Sequence, residues 1–288
     1  MSAVISPSKQ GVAARLARSE GQVELSIIRK QDENVIRRLY QSGCGRVRFP
    51  AIDHAHLPEA VLINTSGGLT GGDVMKYRIT VEAEAGLTVT GQAAEKIYKS
   101  LGDPVHIKSD IAVGEGAYLE WMPQETILFD RSHLDRRNQV ELADGATFLG
   151  VEANIFGRTA HGEVLQDITI RDGWRIRRGG RLVWVDRFRF EGNAHEELAR
   201  PALLNGAIAI GTMICAATNA SARVDEMREL AKDMESRIGI TALDKDLLIV
   251  RIMDENAARF RVHLMNIIRN LRNGLRGGDF SMPTVWKI

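Results

Sequence analysis

Hydrophobic and polar positions alternate along this chain from about Val23 to Glu191. Around Tyr77, for example, Tyr77, Ile79, Val81 and Ala83 share one face while Lys76, Arg78, Thr80 and Glu82 share the other, which is the period-two signature of a half-buried strand. Similar runs occupy Val23 to Ile28, Val35 to Tyr40, Leu87 to Thr90, His106 to Val113, Ala117 to Met122, Thr147 to Ile155, Val164 to Ile170 and Leu182 to Phe190. Glycine-bearing turns separate them at Gly86, Gly114-Glu115-Gly116, Asp144-Gly145 and Arg178-Gly179-Gly180. Many short strands without helices between them predict a mainly β body, a many-stranded antiparallel or coiled sheet of sandwich or β-helix type.

The pattern changes after Gly206. Ala207 to Ala217 reads as an apolar strand, and Met227, Leu230, Ala231, Met234 and Ile238 then recur at helical spacing. Leu247 to Met253 reads as another strand. Phe260, Leu264, Ile267, Ile268, Leu271 and Leu275 form the stripe of a second helix, with Asp254 as its N-cap and Gly274 to Gly278 as its stop. The expectation is a β-rich body over residues 19–206 and a C-terminal βαβα segment with two helices over 207–288, packed as one structural domain. Residues 1–18 are expected to be disordered. Arg259, Arg261, Arg269, Arg272 and Arg276 line the other face of the last helix, either as a solvated surface or as a dock for an acidic partner. Asp279 to Ile288, with Phe280, Pro283 and Trp286, reads as an extended edge strand over the core.

Composition restricts the function classes. The 288 residues are 44% hydrophobic, enough for a sizeable core, and 38 basic against 37 acidic residues leave a formal charge of +1, which gives no reason to expect nucleic acid or an anionic membrane as partner. The longest nearly apolar stretch, Ala207 to Ala217, is too short to span a bilayer, and the N-terminus has no charged segment followed by an apolar one. A cytoplasmic protein with protein partners is expected. Cys44 and Cys215 offer neither a disulfide framework nor metal-ligand spacing.

Candidate chemistry begins with Asn64 to Asp73, NTSGGLTGGD, where Gly67, Gly68, Gly71 and Gly72 follow the apolar run Ala60-Val61-Leu62-Ile63. Glycines this dense imply left-handed backbone or close approach of another group. A phosphate cradle is disfavoured, because Asp73 stands where a P-loop places lysine and the spacing is not G-x-G-x-x-G. Two carboxylates raise a different question. Asp186 shares a face with Leu182, Trp184, Phe188 and Phe190, and Glu152 lies between Phe148 and Phe156 with Asn154 beside it. Both are expected inside, where a carboxylate needs a salt bridge or a metal-handling role. The alternatives are pairing with arginine, or a polar passage whose oxygen ligands pass a divalent cation on without trapping it. His54 and His56 form the only close histidine pair, in a Pro-flanked loop, and Ser132, His133 and Asp135 are neighbours without the convergence or nucleophile elbow a triad needs.

Five segments in fixed order carry a family resemblance: AVLINTSGGLTGGD (Ala60 to Asp73), QAAEKIYKS (Gln92 to Ser100), LEWMPQETILFD (Leu119 to Asp130), FGRTAHGE (Phe156 to Glu163) and RLVWVDRFRF (Arg181 to Phe190). In them the chain resembles UreD, called UreH in some organisms, a urease accessory protein. The resemblance implies a non-enzymatic protein with no tightly bound cofactor that sits on apo-urease. It implies binding to the helical accessory protein UreF and, through it, recruitment of the GTPase UreG. It also implies that Ni²⁺ passes in transit through the protein's interior toward the urease active site. The acidic positions within or near the matching segments are Asp73, Glu125, Glu152 and Asp186; Glu152 and Asp186 have the strand pattern behind them, Asp73 has the alternative task of fixing the glycine loop, and Glu95 is a weaker candidate. A scaffold without a passage and a nucleotide-binding enzyme are the rival readings.

Overall fold

The computed structural model describes residues 17–50, 57–158 and 162–287. The segment expected to be disordered lies almost entirely outside the described residues, as do His54 and His56. The structure is mainly β, and of the arrangements left open by the alternation it is the coiled one.

The chain enters through β1 (Glu20–Lys30), β2 (Glu33–Gly43), β3 (Gly45–Arg48) and β4 (Glu59–Asn64), and then winds. Three successive coils follow: β5 (Val74–Val81), β6 (Gly86–Gly91) and β7 (Glu95–Ile97); β8 (Val105–Val113), β9 (Tyr118–Met122) and β10 (Thr126–Leu128); and β11 (His133–Leu142) with β12 (Thr147–Phe156). The first strand of each coil joins one sheet and the second joins another. β7, β10 and the end of β12 stack as a narrow third strip, in the register Glu95, Thr126, Asn154. β13 (Ile168–Arg178) returns to the first sheet and β14 (Arg181–Gly192) folds back on it.

The resulting seven-stranded sheet runs β14-β13-β11-β8-β5-β1-β2, parallel from β13 to β1. Facing it, β12, β9, β6 and β4 run parallel in a sheet that β15 (Ala209–Ala216), β17 (Leu247–Asp254) and β16 (Arg237–Asp244) extend antiparallel at one side. Parallel stacking puts equivalent positions of successive coils above one another, so a residue type in one coil meets its counterpart in the next.

Two apolar clusters fill the space between the sheets. One gathers Leu25, Ile79, Val89, Leu119, Phe148, Trp174 and Trp184; the other gathers Leu69, Met75, Ile97, Leu128, Leu134, Phe156 and Ile170. β12 is buried on both faces, because α3 (Ala257–Arg276) covers its other side: Leu149, Val151 and Ala153 pack with Phe260, Leu264, Ile267, Ile268 and Leu271.

The C-terminal segment departs from expectation in detail. A short α1 (Ala194–Leu198) precedes it, and its first long helix, α2 (Val224–Ala231), ends earlier than the spacing suggested. Ile238 lies in β16, an additional strand, opposite Ile252. The N-cap of α3 is Asn256, whose side chain accepts from Arg259 N at 3.0 Å, and not Asp254. The helix ends at Gly277 with φ of 71°, inside the expected stop. The terminal stretch is not an edge strand. Thr284–Trp286 form a 3₁₀ turn, and the fully buried Trp286 donates its indole N–H to Thr90 Oγ1 at 2.9 Å. No helix among the described residues is long and apolar enough to cross a membrane.

Candidate functional site: a polar layer between two apolar cores

The inward face of β11 reads Leu134, Arg136, Asn138, Val140, Leu142, and that of β13 reads Ile168, Ile170, Asp172, Trp174, Ile176. On β12 the face toward the same space holds Phe148, Gly150, Glu152, Asn154 and Phe156. In each strand apolar residues flank the polar ones, so the register brings Arg136, Asn138, Glu152, Asn154 and Asp172 into one buried layer between the two apolar clusters.

Arg136 organises that layer. Its Nε and Nη2 donate to Asp172 Oδ1 and Oδ2 at 3.0 and 2.5 Å, Nη2 also donates to Asn154 Oδ1 at 2.8 Å, and Nη1 donates to Thr126 Oγ1 at 2.7 Å. Glu152 Oε1 lies 2.9 Å from Nη2, and its Oε2 accepts from Asn138 Nδ2 at 2.7 Å. One guanidinium thus faces two carboxylates. They are not equivalent. Burial pushes Glu152 well above the ordinary carboxylate range, Arg136 offsets this only in part, and the neighbouring Asp172 charge adds to the rise. Burial works against the Asp172 charge too, but there the bidentate Arg136 outweighs it and holds the group below its ordinary value.

Two cavities meet at this layer. The larger, about 390 Å³, is lined by Asn64, Gly67, Tyr77, Glu95, Arg136 and Glu152 among others. The smaller, about 60 Å³, lies beyond and is lined by Glu152, Asn154, Asp172, Trp174, Asp186 and Arg251 among others. Arg136 and Asn138 line the first and are bonded to Glu152, which lines both.

The expected residues are distributed unevenly around this geometry. Glu152 and Asp186 both line the smaller cavity. Asp186 is less buried than expected: its side chain is 24% exposed and pairs with the exposed Arg251 at 2.7 Å. Its neighbour Leu182 is exposed, since β13 and β14 shift register between Ile176 and Arg177. Glu95 lies at the larger cavity, accepts from Asn64 Nδ2 at 3.1 Å, and is raised above its ordinary value by burial. Glu125 is elsewhere, bound to Arg261 of α3 at 2.5 Å. Asp73 is also elsewhere. Its two oxygens accept from Ser19 N at 2.7 Å and Thr70 N at 2.8 Å, so it clamps the glycine loop.

That loop is built as a corner. Gly67, Gly68 and Gly72 have φ of 76°, 152° and 87°, and Leu69 between them is buried and bridged to Ile97. Gly71 has no positive φ, but a Cβ there would run into Ser100 Oγ and the Asp103 carbonyl oxygen. The Thr70 N–H that a phosphate would use is taken by Asp73. Gly71→Val is therefore expected to cost about 3 kcal/mol or more through overpacking against fixed backbone, read as a lowered melting temperature or loss of soluble protein. Wild-type melting would show that the corner yields.

Ser132, His133 and Asp135 do not converge: Asp135 is held by Arg137 and the His133 ring by the Gly102 carbonyl oxygen. A serine, histidine and aspartate do meet at Ser236, His263 and Asp254. The order is wrong for a nucleophile, because Ser236 Oγ donates to Asp254 at 2.5 Å and lies 2.8 Å from His263 Nδ1, leaving the hydroxyl in the middle with its proton committed. Among the described residues, no three His, Cys, Asp or Glu side chains are grouped to hold a metal ion. The polar layer offers two carboxylates and two amides around the Arg136 guanidinium, an oxygen-rich set of the kind that makes passing contact with a hard or borderline divalent ion.

The Glu152 environment makes a pH prediction. An acid raised by burial binds its proton more readily in the folded state, so its contribution is most favourable below the ordinary glutamate value of 4.5 and is lost as pH rises through the folded value. Glu152→Gln removes that term. Relative to the parent, the variant is expected to gain stability as pH rises from 5 to 8; equal pH dependence in denaturant melts of both proteins would refute the assignment.

Comparison with known proteins places the chain. Residues 19–287 match the family model described as UreD urease accessory protein. Among curated relatives, a protein named urease accessory protein UreD from Rhodopseudomonas palustris is 39% identical over 271 residues, covering 93% of each chain. One of the same name from Rhizobium etli is 40% identical over 276 residues, covering 96% of this chain and 98% of the relative. A third, from Agrobacterium fabrum, is 36% identical over 281 residues, covering 98% and 95%.

Proposed function

The chain belongs to the UreD family of urease accessory proteins, and from that premise we propose that it is a non-catalytic assembly factor that holds apo-urease and the UreF–UreG complex together and passes nickel through its interior. The observation that carries the second half is the meeting of the two cavities at Glu152. A nickel ion is cargo here, not a resident group. It enters the larger cavity past Glu95, reaches Glu152 at the polar layer, and leaves by the smaller cavity past Asp172 and Asp186. Carboxylate and amide oxygens suit that task, because a thiolate or imidazole cluster would hold nickel too tightly to release it.

Arg136 sets the condition for passage. Its charge repels a divalent cation and occupies the carboxylates that would receive one. Glu152 is the partner it holds by one nitrogen, Asp172 the one it grips with two. Movement of the ion past Glu152 therefore requires the guanidinium to loosen its Glu152 contact while keeping Asp172. The rival scaffold reading has the same family and the same partners, but an inert interior. Co-purification of the chain with urease subunits and UreF, followed by urease activity and nickel content with and without the chain, tests the reading. Nickel-loaded urease formed equally well without the chain would overturn it.

A further inference from the structure

The sequence offers the arginines of α3 as a docking surface, but the structure uses them internally. Arg259 binds Asp254 and Glu235, Arg261 binds Glu125, Arg269 binds Asp279, Arg272 is buried against Glu120, and Arg276 lies over the Phe280 ring with its guanidinium carbon 3.6 Å from the centroid. The outer face of the seven-stranded sheet is different. There β13 presents Arg171, Gly173 and Arg175, β14 presents Val185, Arg187 and Arg189, and β11 presents Arg137.

Register sets like charges side by side. Arg171 is directly opposite Arg189, and one row across the sheet reads Arg187, Gly173, Arg137, Lys108, Lys76. Directly opposed like charges destabilise a sheet. Among the described residues, Arg171, Arg175, Arg187, Lys108 and Lys76 have no ion-pair partner; the carboxylates among the arginines are already engaged, Asp135 by Arg137, Glu191 by Arg189 at 3.6 Å and Glu141 by Arg177 at 3.6 Å. Edge protection accounts for charges on β14, the last strand of the sheet, but not for those on β13, β11, β8 and β5, which lie inside it. A notch of about 590 Å³ opens around Gly173, lined by Arg137, Arg171, Arg175, Arg187 and Arg189 among others.

We propose that this notch and its basic row form a docking surface for an acidic polypeptide segment, several aspartate or glutamate side chains presented by a protein partner of the maturation complex. The inference rests on the assembly role proposed above only for where the segment comes from. Charge complementarity is the argument: the face concentrates unpaired guanidinium groups in a chain whose formal charge is only +1, and guanidinium pairs carboxylate in two-point geometry. A polypeptide fits better than a nucleic acid, because the two aromatic residues lining the notch, Trp174 and Phe188, have their rings packed inward against Phe148 and Phe156 and are not presented to stack a base. Such a surface also speeds encounter with the partner at low salt.

The test uses the full chain and a labelled octaglutamate peptide, titrated at low and near-physiological salt. Binding is expected at low salt and should weaken as salt screens the charges. The triple variant Arg171→Gln, Arg175→Gln, Arg187→Gln should lose about tenfold or more in affinity with an unchanged or raised melting temperature, since it removes opposed charges and no internal pairing. A control triple of equal charge change, Arg200→Gln, Arg228→Gln, Lys232→Gln, should bind like the parent. No peptide binding at low salt, equal loss in both triples, or tighter binding of an octathymidylate strand than of the peptide would overturn the proposal. The interior variant Glu152→Gln, Asp186→Asn leaves this face intact and should bind the peptide normally, so failure of the nickel passage and failure of the docking face are read separately.

Discussion

Asp172→Asn is expected to lower the stability of the chain by about 3–5 kcal/mol, a fall in melting temperature of roughly 6–15 °C. Asp172 holds both Nε and Nη2 of a guanidinium that is buried between two apolar clusters. An asparagine keeps the shape but can accept with only one atom, and it turns a donor toward Arg136. The remaining carboxylate, Glu152, cannot take over. It contacts a single nitrogen, and burial already favours its protonated form. Arg136 would then be left buried with only the singly contacted Glu152 as counter-charge, close to the situation that makes breaking a buried pair costlier than never having had one. Denaturant or thermal melts of the isolated chain check this. A cost below about 1 kcal/mol would mean that Arg136 can turn out to solvent.

Asp172 and Arg136 are also the residues that the alternation did not reveal, and the reason is physical. A strand announces itself by contrast between its faces. On β14, and on the inner face of β12, a carboxylate interrupts a mostly apolar face, so Glu152 and Asp186 stand out against Phe148, Phe156, Trp184 and Phe188. β11 carries Arg136 and Asn138 on its inner face and Arg137, Gln139 and Glu141 on its outer face, which erases the contrast over its centre. β13 loses it similarly, with Asp172 inside and Gly173 outside, so only its start was legible as part of Val164 to Ile170. The test applied to Asp186, one carboxylate on an otherwise apolar face, finds Asp172 once Ile168, Ile170, Trp174 and Ile176 are set on a common face. The signal was present but needed the strand first.

Strand direction was hidden for a related reason. Period-two alternation is the same in parallel and antiparallel sheets, and the turns between coils are short enough to pass for hairpin loops. What separates the two is which strand lies beside which, and that is a property of the stacked coils. In the C-terminal segment, Met234 and Ile238 continue a helical spacing by coincidence, while Ile238, Ile240 and Ala242 also alternate as a strand. Packing against β17 settles that competition in favour of the strand.

The double variant Glu152→Gln, Asp186→Asn separates a passage from an inert interior. Both changes keep side-chain shape while removing two of the three carboxylates that line the smaller cavity. Neither strands a buried arginine. Arg136 retains its two bonds to Asp172, and Arg251, the partner of Asp186, is 55% exposed and can be solvated. Assembly with UreF and urease should therefore survive, with stability within about 1 kcal/mol of the parent. A divalent cation at the polar layer, however, would face Arg136 with only Asp172 left to offset it. Each 1.4 kcal/mol of lost attraction is about tenfold in occupancy, so nickel content and urease activation should fall by at least about tenfold. Measuring melting temperature, complex recovery and nickel content on one preparation keeps the outcomes distinct. Failed assembly would mark the two acids as structural, whereas full nickel loading in an intact complex would show that nickel takes another route.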